Sequence, residues 1–149
     1  MGELIQPWHL LILLVVFGFF ALPFVFYILS LQRALEKCAP VSRTLSPGSL
    51  WVLLVPLVGV IFHFLVVTGM AKSLGNEFRR RNAPNAEPEP GQSIGMAMCI
   101  CTICGIIPVL GILASLASLV LWIMYWVKIE GYSRTLSELP DPTLLSSGD

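Results

Sequence analysis

The chain has 149 residues, 56% of them hydrophobic and only 12% charged, with nine Lys and Arg against nine Asp and Glu. Water-soluble domains carry about a quarter of their residues charged, so this composition excludes an ordinary soluble globule. Zero net charge leaves no basic field to draw in nucleic acid. The charges lie between apolar runs, which predicts an all-α integral membrane protein whose main solvent is lipid.

The first apolar run, 8–31, is long enough to cross the bilayer with some tilt. Met1 to Pro7 carries Glu3 and no basic residue, and the run ends in Ser30-Leu31-Gln32-Arg33, so it does not read as a cleaved secretory signal. Gln6 stands where a myristoylation motif beginning at Gly2 needs Ser or Thr. Pro23 interrupts the run and predicts a kink. A polar connector with Arg33, Glu36, Lys37, Cys38 and Arg43 follows, closed by the turn Ser46-Pro47-Gly48-Ser49.

A second span is predicted over 50–71, with Pro56, Gly59 and His63 inside it. Beyond Lys72 the helix is expected to continue into the headgroups as far as Arg81, and within a polar linker over 79–92 the segment 82–91 is too rich in proline to be a helix. The uncharged stretch 94–127 would be about 50 Å long as one helix against a hydrocarbon core of about 30 Å. It is therefore expected to fold back at Pro108–Gly111, giving a short hairpin of spans over 94–107 and 109–127. One four-helix transmembrane domain over 1–136 and a polar tail over 137–149 complete the prediction.

Orientation follows from the basic residues. With four spans and both termini cytoplasmic, the inner side holds Lys72, Arg79, Arg80, Arg81, Lys128 and Arg134, and the outer side Arg33, Lys37 and Arg43. Lys72, Arg79, Arg80, Arg81 and Lys128 then act as membrane anchors against anionic lipid. Trp8, Trp122, Tyr125 and Trp126 fall at the inner interface, Tyr27 and Trp51 at the outer one. The pentapeptide Val55-Pro56-Leu57-Val58-Gly59 resembles Ile107-Pro108-Val109-Leu110-Gly111, and each opens a run ending at a lysine. That pattern fits two parallel helix pairs, with chance similarity as the rival explanation.

Few residues promise chemistry. The stretch Met96 to Cys104 concentrates soft sulfur, yet on a helix Cys99 and Cys101 lie on nearly opposite sides, so packing is their ordinary role. Cys101 and Cys104 share a face and have dithiol spacing, which with Cys38 would suggest a disulfide relay of the four-helix quinone-linked type. That type normally carries a second cysteine pair in an outer loop, where this chain has Cys38 alone. His63 is the titratable group deepest in a span and the candidate for cofactor binding. Its ordinary role is a hydrogen bond to a neighbouring helix, and His9 lies too near the start of its span to be a haem partner. No Asp, Glu, Lys or Arg stands within the spans to couple ions. Gly111, Ala114, Ser115 and Ser118 form a small-residue face for close helix approach, within the fold or to another subunit.

The string Leu45-Ser46-Pro47-Gly48-Ser49-Leu50-Trp51-Val52-Leu53-Leu54-Val55-Pro56-Leu57, with Ala71-Lys72-Ser73-Leu74-Gly75-Asn76-Glu77-Phe78 and Tyr125-Trp126-Val127-Lys128-Ile129, resembles small uncharacterised multi-pass membrane proteins of bacteria. The resemblance covers about 45–136 and implies a bacterial inner membrane, with no activity attached. Where those proteins tend to have asparagine after the proline motif, this chain has Gly59. The expected function is a non-catalytic accessory or scaffold subunit, without cofactor, whose partners are lipid and other membrane chains or itself. A small homo-oligomeric channel using Thr102, Ser115, Ser118 or His63, and a thiol-redox or metal- or haem-binding protein, are the alternatives.

Overall fold

The computed structural model describes residues 6–142, apart from 56, 85 and 109. All regular structure in it is helical: α1 (Pro7–Glu36), two 3-10 segments (Pro40–Ser42 and Pro47–Leu54), α2 (Val58–Arg80), α3 (Gln92–Cys104) and α4 (Gly111–Glu138). Three of them, α1, α2 and α4, are long and apolar enough to cross a membrane, while α3 is a shorter apolar helix.

Cross-helix contacts fix the directions. Trp126 Nε1 donates to Ser30 Oγ at 2.9 Å and Lys37 Nζ to the Ser133 carbonyl at 3.0 Å, so α1 and α4 run parallel in steady register. The Tyr27 hydroxyl meets His63 Nε2 at 2.8 Å, and further along Ala39 N–H donates to Glu77 at 3.0 Å, so α2 runs the same way. Gly95 faces Tyr125 and Thr102 Oγ1 lies 2.7 Å from Ser118 Oγ, which makes α3 antiparallel to α4. The chain returns from α1 to the start of α2 through the segment 39–57, laid antiparallel along α2. Thr44 Oγ1 donates to the Gly69 carbonyl at 2.8 Å, and the Leu53 carbonyl lies against Gly59.

This strap corrects the predicted second span. Its 3-10 turns and α2 read in sequence as one apolar run, but proline at 56 offers no N–H to continue a helix. Leu57 then takes φ 65°, ψ −55°, turning the backbone before α2 starts at Val58. The other boundaries shift as well: α1 runs to Glu36, α4 to Glu138, and Arg79 and Arg80 belong to α2 rather than to the linker. The linker itself is packed, with the Pro88 carbonyl against Gly75 and Gly91 beside Tyr125 and Tyr132. Of the expected tail, Leu139 packs on the core and Asp141 pairs with Arg80, and 143–149 lie outside the described residues.

The repeated pentapeptide has the same role twice. Gly59 N–H donates to the Val55 carbonyl at 2.7 Å and Gly111 N–H to the Ile107 carbonyl at 2.6 Å, each closing the first turn of a long helix. Each glycine also lies against a carbonyl of the preceding element, Leu53 or Gly105, where a Cβ would collide. Pro56 and Val109 of the two motifs are outside the described residues.

The molecule has two unlike halves. Toward the starts of α1, α2 and α4 the surface is apolar: Leu14, Leu22, Ile61, Ile106, Ile112 and Leu116 are all exposed. Toward their ends lies the core, with Tyr27, Leu31, Leu35, Met70, Leu74, Ile129 and Leu136 fully buried around α2. Half of the apolar stretch of α2 is buried, against 12% for α1 and 11% for α4, so α2 is the central helix.

Candidate functional site

Three long helices end together, and their carbonyl ends carry partial negative charge. The sequence answers with basic side chains, every one of which lies on 33–43, 72–81 or 128–134. Arg43 donates to the carbonyls of Cys38 at 2.9 Å and Glu36 at 3.0 Å, closing α1. Arg81 donates through Nη1 to Leu136 O at 2.7 Å and Leu139 O at 3.0 Å, closing α4, and through Nη2 to Lys37 O at 3.0 Å. At the centre is Glu77, whose side chain is 0% exposed. It accepts from Arg80 at 2.6 Å, from Arg81 at 2.7 Å and from Ala39 N–H at 3.0 Å. Asp141 completes the cluster with Arg80 at 3.0 Å. A carboxylate so enclosed stays ionised and is committed to holding helix ends together.

These contacts overturn the expected division of charge. Arg33, Lys37 and Arg43 belong to the end that holds Arg79, Arg80 and Arg81, because 39–57 returns along α2 and adds no helical span. Arg80 and Arg81 turn inward to Glu77 instead of outward to lipid. Arg79 is exposed and bonds Asn76 Oδ1 at 2.6 Å, and Lys72 is exposed. Lys128 pairs with Glu87 at 3.3 Å and lies 5.7 Å from the Tyr132 ring centre. The Tyr132 hydroxyl also donates to Glu87, and this bond, with that from Lys128, holds the Glu87 carboxyl below its usual range.

In the apolar half, the strap and all four helices line an open-sided cavity of about 570 Å³. His63 forms part of its wall and is tied to Tyr27, whose ring packs edge-on against Trp122 and Trp126. Thr102 and Ser118 also line it. Thr102 Oγ1 donates to the Met98 carbonyl at 2.9 Å, so α3 and α4 share a small polar link in an apolar setting. Ser115 opens on the same cavity and makes no hydrogen bond among the described residues. Trp122, on the wall, has its indole N–H buried without an acceptor.

The small-residue face is used inside the fold. Gly111 packs on Gly105, Ser115 Oγ lies where a Cβ on Gly105 would come within 3.0 Å, and Ser118 joins Thr102. Ala114 is half-buried beside them. Cys101 and Cys104 are free thiols, half-buried on α3, while Cys38 and Cys99 are buried and also free. Among the described residues no three His, Cys, Asp or Glu side chains gather closely enough to hold a metal ion. His9 lies near the start of α1, and Tyr27 is the partner of His63. Burial raises the Cys38 thiol to about 12, with the Glu77 carboxylate adding to the effect.

Sequence reasoning missed Glu77, Tyr27 and Trp122. The signal for Glu77 was present, since Arg80 and Arg81 follow it at the three- and four-residue spacings that bring helical side chains together. Tyr27 and Trp122 read as interfacial anchors, and nothing in their spacing shows that they face each other. The fold thus defines a helical bundle with three helices able to span a membrane. Comparison with family models, curated proteins and solved structures finds no match to this chain.

Proposed function

We propose that this is a non-catalytic integral membrane protein acting as an accessory or scaffold subunit, held in a bacterial inner membrane with its charged end in the cytoplasm. The observation that carries the reading is the uncovered first half of α1. Leu11 and Leu14 are 64% and 74% exposed, and this part of the helix extends beyond the start of α2. Tyr27 meets His63, only a little way into α2, so the preceding turns of α1 have little of α2 beside them. From Trp8 to Phe19 the described side chains are mostly exposed, an apolar stretch of about 17 Å open to lipid or to another membrane chain, before Phe24 and Tyr27 pack onto the rest of the fold.

The orientation follows from charge. All the basic residues gather at one end, and the rule that Lys and Arg stay inside assigns that end to the cytoplasm. Because α1 and α4 run parallel, the N-terminal end of α1 then lies on the opposite side from the end of α4, in place of both termini inside. The α3–α4 pair enters the membrane as a hairpin whose tip, with Ile106, Ile107 and Leu110 exposed, stays in hydrocarbon. Its turn is satisfied by Ile106 N–H to Ile103 O and Ile107 N–H to Cys104 O, both 3.1 Å.

Catalysis has little support here, since the buried carboxylate is locked among helix ends and His63 is committed to Tyr27. The test is the mass of the complex extracted from native membranes in mild detergent, with its chains identified. Unrelated chains at fixed stoichiometry support a subunit. A homo-oligomer alone sinks the reading in favour of a channel.

A further inference from the structure

We propose that the cavity beside His63 binds a neutral lipid whose head presents a carbonyl oxygen. The cavity, about 570 Å³, has a volume in the usual range for small-molecule sites. No charged side chain lines it, and every described Lys, Arg, Asp and Glu belongs to the other half of the molecule. A charged head would be placed in an apolar belt with no counter-ion, at a cost a neutral head avoids.

Two polar groups on the cavity wall are free to donate. Ser115 has a hydroxyl that opens on the cavity and makes no hydrogen bond among the described residues. When the Tyr27 hydroxyl donates to Nε2 of His63, the imidazole proton is on Nδ1, giving a further donor on a wall residue. Thr102 already donates to the Met98 carbonyl. Donors without acceptors select a ligand that brings an acceptor oxygen and no charge.

Access favours a molecule dissolved in the bilayer. Leu54, Leu57, Val60 and Leu119 are both cavity-lining and exposed on the apolar surface, so the opening faces lipid tails. At the mouth, Leu57 holds a left-handed φ of 65°. Such backbone is costly for a branched side chain, and irregular backbone at membrane depth is tolerated where it lines a cavity. Phe24 and Trp122 supply flat apolar walls for a ring or the first carbons of a chain.

The test is titration of the detergent-purified full chain with decylbenzoquinone, read by quenching of tryptophan fluorescence, since Trp122 lines the site. Saturable quenching at one probe per chain is expected, weakened at least tenfold in His63→Phe and in Leu119→Phe. The first removes a donor and the second narrows the mouth without touching an internal hydrogen bond. Unchanged helicity in both variants, with a melting temperature unchanged in Leu119→Phe and lowered only slightly in His63→Phe, which loses the bond to Tyr27, shows that each is folded. Decylbenzene, which lacks oxygen, and decyl sulfate, which is charged, are expected to relieve the quenching only at concentrations at least tenfold above that of the quinone. Competition by dioctanoylglycerol assigns an ester carbonyl as an equal ligand, and its failure assigns the quinone-type head. Quenching that rises linearly without saturation, that is identical in both variants, or that decylbenzene displaces equally well would overturn the proposal. None of these outcomes changes the mass of the native complex, so the subunit reading stands or falls separately.

Discussion

Replacing Glu77 by glutamine keeps the shape of the side chain and removes its charge. The wild-type carboxylate is 0% exposed and faces Arg81, itself 8% exposed, at 2.7 Å and Arg80 at 2.6 Å. Breaking a buried ion pair from one side costs about 3–5 kcal/mol, because the remaining charge is left without a partner in a poorly solvated place. Glutamine still accepts one hydrogen bond and the more exposed Arg80 regains some water, so the expected loss is about 3 kcal/mol, the lower end of that range. For a chain of this size that corresponds to a fall of about 6–12 °C in melting temperature. The assay is reversible unfolding in mixed micelles, run as a cycle with Arg81→Gln. A coupling of about 1.5–3 kcal/mol is expected for groups in one network. A loss below about 0.5 kcal/mol, or mutations that simply add, would show that the charged end does not hold the helices together.

Other outcomes follow from the same contacts. Gly75→Ala sets a Cβ against the Pro88 carbonyl and is expected to lose about 1–3 kcal/mol, whereas Gly131→Ala meets nothing within 4 Å and gains about 0.5–1 kcal/mol, both read by melting. Tyr27→Phe removes the hydrogen bond to His63 and is expected to cost about 0.6 kcal/mol, a typical value between membrane helices. Cys38, held protonated until about pH 12, is expected to resist maleimide at pH 8 in the folded protein and to react on unfolding. Because its pKa rises on folding from an ordinary value of 9.0, the contribution of Cys38 to stability is complete below pH 9 and is lost as the pH climbs toward 12. Labelling of Cys38 in the folded chain at pH 8 at the rate of an exposed thiol would contradict its burial.

Much of the helical plan was legible. The apolar runs, the break near Pro108 and the two proline-glycine motifs follow from hydropathy and from the lack of an N–H on proline, and long helices begin within both motifs, at Val58 and at Gly111. The division of the second run was hidden, because Leu50 to Leu54 is as apolar as the start of α2. Its 3-10 path depends on Thr44 and Leu45 packing along the Gly69 side of α2. The missed return of the strap along α2 carried into the charge map, because it set Arg33, Lys37 and Arg43 apart from the end that holds Arg79, Arg80 and Arg81. His63 was picked out for its rarity at depth, yet its partner Tyr27 is 36 residues away and visible only in three dimensions. The small-residue face on α4 was legible as a packing surface, and the partner it takes, α3, is the nearest helix in the chain.

The sidedness of the charged end is tested most directly by labelling single cysteines with a membrane-impermeant maleimide, in intact cells and in inverted vesicles, with Cys101 and Cys104 replaced by alanine. Val41→Cys in the strap and Ala86→Cys in the linker, both at exposed positions, are expected to react from the same, cytoplasmic side. Gln6→Cys, ahead of α1, is expected to react from the opposite side. Labelling of Val41→Cys and Ala86→Cys from opposite faces would contradict the one-sided arrangement and restore an additional span between them.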